Sequence, residues 1–87
     1  MHSQEGLPEL LKKAKKLEKQ GQMNESLSVY KQALKLNEDA QTSEWITLKL
    51  ARLSTDVEQK ISFYNQFISD FPNSQFIKLV YYEITAV

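Results

Sequence analysis

Cysteine is absent from the chain. That one absence removes disulfides, thiolate metal sites and cysteine nucleophiles together. Net charge is absent too: eleven acids balance eleven bases, so there is no global argument for a nucleic-acid or membrane partner. No apolar run approaches the roughly 20 residues that a membrane span needs. The opening stretch, MHSQEG, holds no apolar signal-peptide core. The lack of a membrane span and of a signal core predicts an intracellular protein, cytoplasmic or nuclear, with no membrane partner. The one histidine, His2, falls in what reads as a flexible tail over residues 1–6. There is no glycine-rich phosphate loop and no metal-ligand spacing. The acids are scattered, and the adjacent Glu38 and Asp39 fit capping chemistry in a solvated turn better than an acid/base pair. The sequence therefore predicts no catalytic residue, no metal and no cofactor, and a protein that is not an enzyme.

What is present is helical spacing. Leu7, Leu10, Leu11, Ala14 and Leu17 recur at helical intervals with lysines between them. Pro8 suits a first turn, and Gly21 suits the position beyond a C-terminus. Asn24 reads as the cap of a second helix carrying Leu27, Tyr30 and Leu34. Residues 37–43 are turn-rich. A third helix follows with Trp45 and Leu48 on one stripe and Ile46, Leu50 and Leu53 on another. Thr55 and Glu58 form a capping-box pattern ahead of a fourth helix through Val57, Ile61, Tyr64 and Ile68, which Pro72 ends. Ser74 is positioned to cap a fifth segment, QFIKLVYYEITAV. The spacing predicts helices near residues 8–20, 24–36, 43–53, 56–70 and 74–86, an all-α fold with a single domain over 7–87.

The pattern is also written twice. Ser28, Tyr30, Gln32 and Gln41 recur thirty-four residues on as Ser62, Tyr64, Gln66 and Gln75, with Leu27 and Leu34 returning as Ile61 and Ile68. A helix–turn–helix at that period is the mark of a repeat array, since one helix pair cannot bury its apolar face alone. The predicted units are residues 7–40 and 41–74, with a C-terminal helix over 74–87. An ordinary small helical bundle is the competing reading.

These residues resemble the tetratricopeptide repeat family. Ala14 and Leu17 sit where the family packs its first helix, Gly21 falls at its inter-helix turn, and Ser26, Tyr30 and Ala33 follow its small–aromatic–small spacing. In the second unit Tyr64 and Pro72 match, whereas Lys60 and Phe67 replace the small residues. The stretch from Phe63 to Ile84, with Trp45 ahead of it, is also similar to the half-a-TPR repeat. The resemblance implies a helical-repeat array of antiparallel pairs that binds a partner protein segment along a concave groove. It implies groove positions for Leu11 and Trp45, with Lys15, Lys49 and Arg52 beside them; Trp45 is equally readable as core. It also argues against a clamp for a C-terminal carboxylate, because Leu11 and Lys15 stand where such clamps carry lysine and asparagine, respectively.

Between Leu7 and Leu36 there are seven lysines and three acids, against four bases and seven acids from Asn37 onward. The lysines either solvate an outer helix face or form an electropositive entry that attracts an acidic segment. Nucleic acid ranks third, since the lysines have no interleaved aromatics. In the last segment one helix cannot cover every apolar side chain. Phe76, Leu79 and Val80 are expected to be covered. Ile77, Tyr81 and Ile84 are expected to be exposed and to drive self-association. Two other readings remain: an oligomerisation or docking domain of a larger scaffold or enzyme, and a three-helix trafficking-type bundle.

Overall fold

The computed structural model describes residues 6–87. They form five α-helices: α1 Leu7–Lys19, α2 Met23–Leu36, α3 Ala40–Leu53, α4 Val57–Asp70 and α5 Ile77–Thr85. In α1, Pro8 and Glu9 lie in the first turn and Lys16 and Lys19 in the last, matching the helix dipole at both ends. Gly21, at φ 78°, ends it. Its N–H donates to the Glu18 carbonyl at 3.1 Å, and the Gln22 N–H donates to the Leu17 carbonyl at 3.0 Å. These two bonds are a Schellman closure, which needs a left-handed residue at that point.

The caps of two later helices differ from the expected ones. Asn24 is not the cap of α2. Gln22 hands its carbonyl straight to the Ser26 N–H at 3.0 Å, so the helix starts at Met23 and Asn24 lies inside it. Asp56, not Thr55, caps α4, accepting the Gln59 N–H at 2.9 Å; a carboxylate there also meets the positive end of the dipole. Asp39 caps α3, accepting the Thr42 N–H at 2.9 Å and its hydroxyl at 2.8 Å. The helix therefore begins at Ala40 rather than residue 43. α5 begins at Ile77 rather than residue 74, because Ser74 closes a turn, accepting the Phe76 N–H on its hydroxyl and the Ile77 N–H on its carbonyl.

Connections of three residues join the first four helices, which makes chain neighbours antiparallel neighbours. α1 packs on α2, α2 on α3, α3 on α4 and α4 on α5. The result is an all-α helical-repeat array with extents of 44 × 27 × 17 Å. One core cluster, around Leu10, Ala14, Leu27, Tyr30, Ala33, Ile46 and Leu50, joins α1, α2 and α3. A second, around Leu48, Ala51, Tyr64, Phe67 and Val80, joins α3, α4 and α5. Phe63 packs against both.

The thirty-four-residue register holds in three dimensions. Tyr30 and Tyr64, at 0% and 2% exposure, are both core side chains. Where the second unit departs from the first, it compensates. Phe67 takes the place of Ala33, and Ala51 takes the place of Leu17; both are fully buried in one cluster, so added volume on α4 is matched by volume lost from α3. Lys60 takes the place of Ser26. Ser26 donates its hydroxyl to the Ala14 carbonyl at 2.8 Å. Lys60 instead sends its ammonium to the last carbonyls of α3, at 2.9 Å from Ala51 O and 2.8 Å from Arg52 O.

The register also accounts for the lysines of α1. Ile46 and Leu50 of α3, both 0% exposed, pack toward α2; their counterparts on α5 are Val80 and Ile84. On α1 the same positions are Lys12 and Lys16, both exposed. Among the described residues no helix packs on that face of α1.

Candidate functional site

Equivalent positions on α1 and α3 are set side by side by the stacking of the two units. Leu11 and Trp45 are thirty-four residues apart, as are Lys15 and Lys49. Trp45 is half-buried. One edge of its indole meets Tyr30, with ring centroids 5.8 Å apart and planes at 75°, and the side chain packs against the first core cluster. Its remaining surface faces out under two ammonium groups: Lys15 lies 5.0 Å from the ring centroid and Lys49 5.9 Å. Trp45 is thus core and surface at once. Cation–π contacts at exposed sites are worth about 0.5–1 kcal/mol each.

Two open recesses flank this stack. One, of about 290 Å³, is lined by Leu11, Lys15, Asp39, Gln41, Thr42 and Trp45. The other, of about 330 Å³, is lined by Lys15, Glu18, Lys19, Trp45 and Lys49. Both sit at the bottom of the roughly 300–1,000 Å³ range of small-molecule sites. Lys15 and Trp45 belong to both and form the ridge between them. Among the described residues no three His, Cys, Asp or Glu side chains are grouped as a metal site would be. His2 lies outside the described residues.

Glu18 organises the floor of the second recess. It accepts the Lys49 ammonium at 3.1 Å and the Tyr30 hydroxyl at 3.1 Å. Burial, first, and the Glu18 charge, second, hold the Tyr30 hydroxyl protonated far above the usual phenol range. One repeat further on, the motif recurs with its charges exchanged. Arg52, the counterpart of Glu18, donates to Glu83, the counterpart of Lys49, at 2.7 Å and 3.1 Å in a two-point contact. The Tyr64 hydroxyl donates to Glu83 at 2.7 Å. The Arg52 hydrogen bond, above all, depresses the Glu83 carboxyl below its ordinary value, with the Tyr64 hydroxyl helping against a desolvation cost. Tyr64 is pushed up to about 12, chiefly by burial.

Of the five residues expected in the groove, Leu11, Lys15, Trp45 and Lys49 come together. Arg52 lines neither recess, because its guanidinium is drawn to Glu83 on α5. The sequence marks Lys19 only within the lysine series of α1 and Glu18 only as the register neighbour of Arg52; the structure adds both to the lining of the second recess. The spacing that would have marked Glu18 is a second period: Glu18 to Lys49 and Arg52 to Glu83 are each 31 residues, and each joins opposite charges.

The expected faces of α5 also need correction. Ile77 and Ile84, expected outside, pack with Val80 against the second core cluster. Leu79, expected to be covered, is 42% exposed, with Tyr81 at 52% and Tyr82 at 72%. The helix is rotated from the expected setting because Val80 and Ile84 take the register of Ile46 and Leu50. Among the described residues no helix is long and apolar enough to cross a membrane. No family model, curated protein or solved structure matches this chain, so the site is defined by its own geometry.

Proposed function

We propose that this chain is a non-enzymatic protein-interaction module of the tetratricopeptide kind, binding a segment of a partner protein in the groove shared by α1 and α3. The observation that carries the reading is the convergence of Leu11, Lys15, Trp45 and Lys49 around two recesses. The faces are preformed by packed helices, so little ordering is lost when a peptide docks. A half-buried tryptophan with an exposed face is the kind of residue that dominates such interfaces. Selection of a random dodecapeptide library on the immobilised chain, followed by amide shift mapping, tests it. Shifts confined to Leu11, Lys15, Trp45 and Lys49 support the groove. Shifts confined to α5 or α4, or a library that yields no binder, overturn it.

A second reading, self-association, rests on α5. Tyr82 stands at the register of Ala14 and Leu48, which are buried against the second helix of their own units. Among the described residues α5 has no such helix. The α5 of a second copy is the occupant we propose for that face, with Leu79, Tyr81 and Tyr82 at the contact and symmetric packing as its form.

A further inference from the structure

Resting on the groove reading, we infer that its ligand is an acidic–apolar segment: a bulky apolar side chain seated on Trp45 and Leu11, and a neighbouring carboxylate taken between Lys15 and Lys19. The two recesses differ in chemistry. The first has an apolar wall, Leu11 and Trp45, and its one acid, Asp39, is committed to the Thr42 N–H and hydroxyl. The second is lined by three lysines and Glu18. Glu18 is already committed to Lys49 and the Tyr30 hydroxyl, which leaves Lys15 and Lys19 without an acidic partner among the described residues. The recess is therefore cationic in net effect, and its unmet charge calls for an anion.

Lys15 makes the two halves cooperate. Its ammonium rests over the Trp45 ring, a contact weaker than a charge-assisted hydrogen bond to a carboxylate. A ligand carboxylate at the second recess draws Lys15 off the indole. That uncovers the ring for the ligand's apolar neighbour and lowers the ridge between the recesses. The apolar and acidic groups are thus read jointly: an acid alone gains Lys15 without using Trp45, and an apolar group alone must displace a cation that has no other partner. A nucleic-acid strand is the competing polyanion. It is disfavoured because the free lysines facing Trp45 are few and the second recess holds a carboxylate on its floor.

The test uses the full chain and its single tryptophan as reporter. The probe is a capped peptide, Gly-Ser-Asp-Phe-Glu-Leu-Ser-Gly, set beside its amide counterpart with Asn and Gln for the acids, and a mixed-sequence single-stranded oligonucleotide. Lys15→Gln/Lys19→Gln changes only exposed side chains, so the variant folds. We expect the acidic peptide to shift Trp45 emission and the amide peptide to bind about tenfold more weakly, the loss of one charge-assisted bond. The double variant should weaken the acidic peptide by a similar factor and leave the amide peptide no weaker, since that peptide no longer displaces a cation from the Trp45 ring. If both peptides bind equally, or the double variant weakens both alike, the acidic class is overturned while the groove reading stands. Should neither peptide bind, and no library peptide compete at Trp45, both fall together. Oligonucleotide binding tighter than the acidic peptide also overturns the inference.

Discussion

Tyr30 shows how much one side chain contributes here. Its ring fills the first core cluster, and its hydroxyl satisfies Glu18. Tyr30→Phe removes only the hydroxyl, and urea unfolding should show a loss of about 1 kcal/mol. Tyr30→Ala also empties the core and should cost about 3–5 kcal/mol. Near-equal losses for the two variants would mean that the core collapses around the missing ring. Tyr64 and Glu83 give the fold a pH window. Glu83 has a folded pKa below its ordinary 4.5, so its contribution is present above that value and is lost as pH falls through the depressed one. Tyr64 is raised from 10.0 to about 12, so its contribution is complete below pH 10 and is lost as pH rises toward 12. Urea midpoints measured from pH 3 to 11.5 should form a plateau with two falling limbs. Glu83→Gln should shrink the acid limb, which Asp39 shares, and Tyr64→Phe the alkaline one, which Tyr30 shares. A limb unchanged by its variant would assign it to other groups.

At the scale of elements, the helix ends reveal what sequence can and cannot supply. Gly21 and Pro72 act through the backbone alone, so their roles were legible. Gly21→Ala should cost about 1 kcal/mol. An added Cβ would meet nothing within 4 Å, so any loss of melting temperature measures conformation and not crowding. A variant as stable as the parent would show that the closure tolerates a different φ. The starts of α2, α3 and α4 were less legible, because several polar residues compete for each cap and the choice depends on how the preceding turn delivers the chain. The convergence of Leu11, Lys15, Trp45 and Lys49 was legible from the register. Arg52 was not, because its partner lies on a helix whose rotation depends on the fit of Val80 against α4. Likewise, Phe67 and Lys60 look like defects in the repeat until Ala51 and the open carbonyls of α3 are placed against them.

For the whole molecule, assembly of the units depends on the joints between them. Glu18→Arg alone places a cation against Lys49, and Lys49→Glu alone places two carboxylates together. Each should be destabilising, while the double variant copies the arrangement of Arg52 and Glu83 and should recover most of the loss. A double-mutant cycle in urea should give a coupling of about 0.5 kcal/mol or more, modest because the pair is partly exposed. Additive losses would make the charges incidental. The outer face of α5 belongs to this scale too. If it takes a second copy, sedimentation across a dilution series should show concentration-dependent dimers that Tyr82→Glu abolishes without lowering the melting temperature. A monomer at every concentration would remove that reading. Ile84→Glu is a poor probe, since it charges a side chain packed against the second core cluster.

The exchanged charges at the two joints carry a syntax. Position 18 or 52 closes each joint from one side, and position 49 or 83 from the other. After the first unit the closing residue must be a base; after the second it must be an acid. Joining copies of the second unit in tandem would set Arg52 opposite Lys49 at every seam, and following it with the first unit would set Arg52 opposite Lys15. Both strings set like charges face to face at the seam, whereas a repeated first unit would set Glu18 against Lys15; the joints therefore disfavour anything that follows the second unit with either copy, by the modest margin of a partly exposed pair.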